Sequence, residues 1–160
     1  MPTVRARITT ALLARLAQIS PANGYATTLG ARVFHGRNSF TPGDLSAGPV
    51  CILHMPAEQR AGDSGDAGYQ IDATIIVEAH ILPADPLNPA ASADLLIGDI
   101  KRGMLRSDQL RLADPAILTD MLEYQRCEVA MPEPGQIATS VLLEFSARYA
   151  ERYGDPSALL

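Results

Sequence analysis

The sequence has few of the residues that build reactive or stacking sites. It contains no tryptophan, and aromatic residues make up 5% of the chain, so a stacking platform for bases or sugars is not expected. The two cysteines, Cys51 and Cys127, lie in separate predicted strands and lack the short spacing of a metal or redox pair. We predict that both are free, buried thiols.

An excess of basic charge and long apolar runs are also missing. The 13 lysines and arginines are outnumbered by 18 acidic residues, and the net charge of −5 argues against a nucleic-acid-binding protein. No apolar run approaches the roughly 20 residues of a membrane span. Residues 1–20 lack the apolar centre and cleavage site of a secretory signal. We therefore expect a cytosolic protein whose partners are proteins, with no membrane contact and no required contact with nucleic acid.

The motifs of common catalytic, metal and cofactor sites are absent as well. His35, His54 and His80 lie on different predicted elements and do not form a metal-ligand pair. No glycine-rich segment has the lysine or the spacing of a phosphate-binding or dinucleotide-binding turn. Ser64 precedes Gly65, but it lies in a predicted loop and not at a strand-to-helix elbow. The sequence therefore predicts no catalytic residue, no cofactor and no metal, and favours a structural or binding protein over an enzyme.

The length of 160 residues predicts one domain, over residues 1–153, with a loose tail at residues 154–160. A chain of this size buries about 70% of the surface that its unfolded form exposes, which is enough for a core without disulfides.

The most informative stretch is a long strand followed by a helix. In residues 69–81 the odd positions are all apolar, while the even positions are polar except Ile76, and this alternation predicts a strand with one buried face. Three prolines then end the strand, and a helix is predicted from Ala90. Its apolar stripe is Ala93, Leu96, Ile97, Ile100 and Met104, and its predicted water-facing residues are Asp94, Asp99, Lys101 and Arg102.

The remaining elements complete an α+β pattern. A helix is predicted over residues 4–19, with strands at 31–34, 50–55, 124–131 and 137–149 and a possible short helix at 116–122. Pro56 is expected to end the second strand, and the small and acidic residues of 57–68 predict a mobile loop. The order α-β-β-β-α-β-β predicts a mainly antiparallel or mixed sheet of about five strands, with two helices packed on one face. Ile76 and Leu142 lie on the other, half-covered face, where another subunit is expected to pack.

Several segments resemble small tail proteins of long-tailed phages and prophages. They are residues 8–19 (ITTALLARLAQI), 23–25 (NGY) with Thr28, 30–33 (GARV), 95–102 (LLIGDIKR) and 141–149 (VLLEFSARY). Together they resemble a tail terminator, or tail completion protein, over most of the chain.

This resemblance implies a structural role. Tail terminators form a six-membered ring on the head-proximal end of the tail tube, end tube polymerisation and present a surface to the head connector. The expected partners are therefore other copies of the chain, the tail tube protein and the head-tail connector protein. The expected location is the host cytoplasm during assembly and the virion tail afterwards. The resemblance implies an α+β fold and no catalytic residues.

A closed ring needs heterologous contacts, in which one patch meets a different patch on the next copy. Charged residues on the two helices and in the 57–68 loop suit such contacts, although any single one of them is more often an ordinary solvated charge. The candidate ring or tube contacts are Arg5, Arg7, Arg60, Asp63, Asp66, Ile76, Lys101, Arg102 and Leu142.

Two alternatives remain open. A neck or head-tail connector protein would share this composition and oligomeric habit. A small oligomeric enzyme with a site between subunits belongs to another class, and its first candidate residues are His80, Glu78 and Glu144.

Overall fold

The structure, a computed structural model, describes residues 1–106, 110, 119 and 121–160. They form three α-helices and a six-stranded mixed sheet, which confirms the predicted α+β class. No described helix has both the length and the apolar character needed to cross a membrane. The helices are α1 (Val4–Leu16), α2 (Pro42–Ser46) and α3 (Pro89–Met104). The strands are β1 (Val33–His35), β2 (Val50–Asp63), β3 (Gly68–Ile81), β4 (Met121–Ala130), β5 (Thr139–Arg152) and β6 (Asp155–Leu159).

The two longest apolar rows of the sequence form the centre of the sheet. The strand order is β1-β2-β3-β5-β4, and β6 pairs with the end of β5. The antiparallel pairing of β3 with β5 runs without a register shift from Gly68 opposite Arg152 to Ile81 opposite Thr139. The pairing of β1 with β2 is parallel, which makes the sheet mixed. Since a slip of one residue would turn both apolar rows to water, burial fixes this register.

Both long helices pack on one face of the sheet, as predicted. The odd positions of β3 from Ile71 to Ala79 and of β5 from Val141 to Tyr149 are buried there. The helices cover these rows with Ile8, Leu12 and Leu16 of α1 and with Ala93, Leu96, Ile100 and Met104 of α3. Cys51 is buried in the same core, whereas Cys127 is only partly buried, and both are free thiols.

Strand β2 is longer than predicted, and the expected mobile loop at residues 57–68 is wrong. The strand continues through Pro56 to Asp63, and the pairing with β3 shifts register between His54 and Ala57. A bulge at this point accommodates a proline that has no N–H to donate to the ladder. Residues 57–63 are mostly exposed, which explains why their polar composition is compatible with a strand. A single 3₁₀ turn, Gly65–Ala67, joins β2 to β3.

The predicted loop between β1 and β2 contains helix α2. Thr41 caps it with a capping box, in which its hydroxyl accepts from the Asp44 N–H and the Asp44 carboxylate accepts from the Thr41 N–H. Leu45 of α2 packs with Val50 and Ile52 in a second, small apolar cluster. One end of the sheet face opposite α1 and α3 is therefore covered by a helix that the periodicity of the sequence does not indicate.

The C-terminal residues also differ from the sequence prediction. They form β6, which pairs with β5 through Glu151 opposite Leu159, so the expected loose tail at 154–160 is wrong. The predicted helix at 116–122 falls partly on residues 116–118 and 120, which lie outside the described part of the chain. Its last two residues, Met121 and Leu122, begin strand β4.

Asp99 of α3 was predicted to face water, but it is 6% exposed. Its carboxylate accepts hydrogen bonds from the backbone N–H of Ala26 at 3.1 Å and of Thr27 at 2.7 Å. The side chain therefore attaches the turn after α1 to α3. The prediction was wrong because the sequence does not show that the chain after α1 supplies hydrogen-bond donors to this carboxylate.

We expect Asp99→Asn to lower the free energy of unfolding by about 1–3 kcal/mol, because one of the two backbone N–H groups that the buried carboxylate accepts from then faces an amide NH₂. Urea unfolding followed by circular dichroism measures this loss. Asp94→Asn, at an exposed position of the same helix, is the matched control and should change stability by less than about 0.5 kcal/mol. Equal effects of the two substitutions would contradict the anchoring role of Asp99.

Candidate assembly surfaces

The sheet face opposite α1 and α3, here called the open face, carries the even-numbered side chains of β3 and β5. Arg148 spans the central pair of strands, because its Nε and Nη2 donate to the two carboxylate oxygens of Asp72 at 2.7 and 3.0 Å. The Arg148 hydrogen bond is the main cause that lowers the pKa of Asp72. Nearer the β4 edge, Arg126 donates to Glu144 at 2.7 Å and to Glu128 at 2.6 Å. These charges are therefore paired within the chain, with Arg148–Asp72 and Arg126–Glu144 crossing between strands and Arg126–Glu128 lying along β4.

A polar network lies on the same face beside α2. The Nε2 atom of His80 is 2.8 Å from Glu78, and its Nδ1 atom is 2.6 Å from the Ser140 hydroxyl. The second Glu78 oxygen lies 3.3 Å from Nε2 of His54. Burial, under Phe40 among others, is the main cause that lowers the pKa of His80, and Glu78 opposes it. The network therefore holds a neutral imidazole between a hydroxyl and a carboxylate.

This network contains two of the three residues named for the enzyme alternative, His80 and Glu78. The third, Glu144, is bonded to Arg126 instead. The backbone of Ser140 lies in the ladder between His80 of β3 and Ala130 of β4. Within the described residues, no group of three or more His, Cys, Asp and Glu side chains could hold a metal ion. The arrangement fits a satisfied polar network better than a catalytic one.

Ile76 and Leu142 do not form a broad apolar patch on the open face. Both are half-buried. Ile76 lies between His54 and Glu144 in the ladder, and Leu142 lies opposite Glu78. Polar or acidic residues are therefore the cross-strand neighbours of both apolar side chains.

The other predicted contact residues lie on separate parts of the surface, and most have partners inside the chain. Arg5 of α1 donates to the Met55 carbonyl and lies 3.5 Å from Glu58. Arg7 Nη1 is 3.5 Å from the Ser157 carbonyl of β6. Near the β2–β3 turn, Arg60 pairs with Asp63. The side chain of Asp66 lies outside the described part of the structure.

The two predicted basic contacts of α3 are held against aromatic rings. Lys101 Nζ lies 3.9 Å from the ring centre of Tyr124. Arg102 stacks over Tyr25 at 4.6 Å and donates to the Gly24 carbonyl at 2.6 Å. Such contacts restrain both side chains. The structure thus does not bring the candidate residues into one site, and their role as contacts remains a proposal.

A buried carboxylate that the sequence did not reveal lies on the helix-covered side near β6. Glu151 is 5% exposed and accepts from the Tyr69 hydroxyl at 3.2 Å. Its neighbour Glu58 accepts from the Tyr149 hydroxyl at 2.5 Å. Burial is the main cause that raises the pKa of Glu151; the Tyr69 hydrogen bond lowers it, and the Glu58 charge raises it further. The alternation of β5 places Glu151 in the apolar row, but it cannot show which side chains surround it.

The raised pKa of Glu151 predicts a specific pH dependence of stability. The folded state holds this proton more tightly than the unfolded chain does, so the favourable contribution is complete below the unfolded pKa and is lost as the pH rises through the folded pKa. We expect Glu151→Gln to gain stability relative to the wild type as the pH rises above the ordinary pKa of a glutamate, and to stop gaining once the folded-state carboxyl has lost its proton. Urea unfolding at several pH values measures the difference, with exposed Glu133→Gln as the control. A stability difference between Glu151→Gln and the wild type that stays constant with pH would contradict a raised pKa for Glu151.

Comparison with known proteins gives a fold relationship. No protein-family model matches the chain, and no curated protein matches it. Among solved structures, the chain is similar to a chain of the "Virion of native gene transfer agent (GTA) particle". The TM-score is 0.53, the sequence identity is 18%, and the match covers 93% of this chain and 92% of that chain. At this identity the similarity shows a shared fold over nearly the whole of both chains.

Proposed function

We propose that this chain is a structural protein of a phage or prophage tail and acts as the tail terminator. Copies of the chain form a ring, proposed to be a hexamer, on the head-proximal end of the tail tube. The ring ends tube polymerisation and presents the joint to the head-tail connector protein. The protein is not an enzyme in this proposal, and it passes from the host cytoplasm into the virion tail during assembly.

The observation that carries the proposal is the fold shared with a chain of a gene transfer agent virion over 93% of the present chain. The sequence resemblance to tail terminators in residues 8–19, 95–102 and 141–149 supports the same role. Large apolar side chains on the surface, such as Leu87 at 95% and Ile137 at 65% exposure, are also typical of a protein that is covered by others on assembly.

Deletion of the gene in its phage or prophage tests the terminator role against the connector alternative. Loss of a terminator should give tails that are longer than normal, because tube subunits continue to add. Loss of a connector should leave tails of normal length that do not join heads. Tail lengths measured by electron microscopy separate the two, and normal-length unjoined tails would overturn the terminator proposal.

The enzyme alternative has a separate test in the His80 network. Glu78→Gln combined with His80→Asn removes the acid-base pair while keeping side chains of similar size. A terminator should still control tail length with this double variant. Loss of length control by a variant that folds and forms rings would favour a chemical role.

A further inference from the structure

A groove of about 530 Å³ runs along the outer side of α1, at its boundary with the C-terminal end of α3. Much of its floor is made of small or apolar residues, which leave room for incoming side chains. They include Ala6, Ala11 and Ala14 of α1, Gly103 of α3, and Leu110.

The walls of this groove are basic. Arg7, Arg15 and Arg106 line it, and none of its described lining residues is acidic. Arg15 donates to the Met104 carbonyl at 2.6 Å. Burial, followed by the nearby Arg106 charge, lowers the pKa of Arg15. In a chain of net charge −5, an apolar floor between clustered guanidinium groups favours a partner that is apolar and acidic.

The connection between β4 and β5 has this composition. Three apolar side chains at this end of the hairpin remain exposed: Val129 at 42%, Met131 at 43% and Ile137 at 65%. Val129 lies near the end of β4, and Met131 and Ile137 lie in the connection that follows it. The exposed Glu133 lies in the turn between Pro132 and Pro134, and its carbonyl accepts from the Gln136 N–H at 2.8 Å. The hairpin end therefore presents exposed apolar side chains close in sequence to an exposed carboxylate, on a backbone stiffened by two prolines.

We propose that the β4–β5 hairpin end of one copy inserts into the α1/α3 groove of a neighbouring copy. Met131 and Ile137 then cover the alanine floor, and Glu133 meets Arg7 and Arg106. No residue of the hairpin end belongs to the groove, so the contact is heterologous. Heterologous contacts repeat from copy to copy and close into a ring when the rotation permits. This inference rests on the proposed ring, for which it supplies the contact between subunits.

Cross-linking between two different cysteine variants tests the contact directly. In a Cys127→Ser background, Ala14→Cys places a thiol in the groove and Ile137→Cys places one on the hairpin. Differently tagged copies of these two variants, mixed under oxidising conditions, should form a disulfide-linked heterodimer. Neither variant alone should cross-link, nor should Asp94→Cys of α3 mixed with Ile137→Cys.

Charge reversal gives an independent measurement. Arg106→Glu or Glu133→Arg alone should weaken self-association by roughly tenfold or more, and mixing the two variants should recover part of the loss. Analytical ultracentrifugation measures the association. Both residues are exposed, so the melting temperature of each monomer should stay close to that of the wild type.

The outcomes separate this inference from the proposed function. Rings that form without the A14C–I137C cross-link would overturn the hairpin contact and leave the ring proposal standing. A chain that stays monomeric at high concentration and in the presence of tube protein would overturn both. Cross-linking that is equally efficient with the Asp94→Cys control would also overturn the contact, because it would reflect random collision.

Discussion

Phe145→Ala is expected to lower the free energy of unfolding by about 3–5 kcal/mol, the range found for removing a buried aromatic side chain. Phe145 is 0% exposed and lies opposite Ile75 in the central strand pair. The edge of its ring meets the ring of Tyr124 from β4, with the centroids 5.9 Å apart. Truncation leaves a cavity that close-packed neighbours on three strands cannot fill.

Leu142→Ala on the same strand is the matched control for Phe145→Ala. Leu142 lies on the open face and is half-buried, so its loss should cost about 1 kcal/mol or less. Urea unfolding should be measured at a concentration where the chain is monomeric, since association adds to apparent stability. Equal losses for the two variants would contradict the assignment of the two faces of the sheet.

Gly30→Ala is expected to lower stability by about 1–3 kcal/mol, because the added methyl group has no room. A Cβ at this position would lie 2.4 Å from the Ala17 carbonyl oxygen and 2.8 Å from the Ile19 carbonyl oxygen, and both are backbone atoms. The Gly30 N–H also donates to the Ile19 carbonyl at 2.8 Å. The methyl group therefore has to separate the end of α1 from the segment that leads into β1.

Gly98→Ala in α3 provides a control with the opposite sign. Among the residues that the structure describes, and apart from the adjacent residues and the backbone of the helix itself, no atom lies within 4 Å of a Cβ at this position. Alanine in an open helical position should raise stability by roughly 0.5–1 kcal/mol, since glycine loses more backbone freedom on folding. Thermal unfolding of both variants measures the difference, and a destabilised Gly98→Ala with a neutral Gly30→Ala would contradict this packing.

The sequence predicted the centre of this fold well and its periphery poorly. Strands β3 and β5 and helix α3 were found because their buried faces repeat at the periods of a strand or a helix over more than ten residues. Helix α2 has five residues, too few to display a period, and its capping box was the available signal. The outer half of β2 carries polar side chains because it is exposed, so its composition resembles that of a loop.

The candidate surfaces were harder to predict, since a single sequence does not show which distant residues meet. Arg5 and Arg102 were predicted as outward-facing contacts, but the structure gives each a backbone carbonyl as partner. The pairing of His80 with Ser140 depends on the register of β3 with β5. The α1/α3 groove is lined by residues of α1 and by residues much later in the sequence, at the end of α3. No local sequence pattern indicates that these two segments meet.

The most direct test of the terminator role is to add the purified chain to polymerising tube protein from the same phage or prophage and to image the products by electron microscopy. We expect a ring of density at one end of each tube and tubes that stop lengthening once the ring is bound. Tubes that continue to lengthen in an excess of the chain, with no added density at either end, would contradict the terminator role.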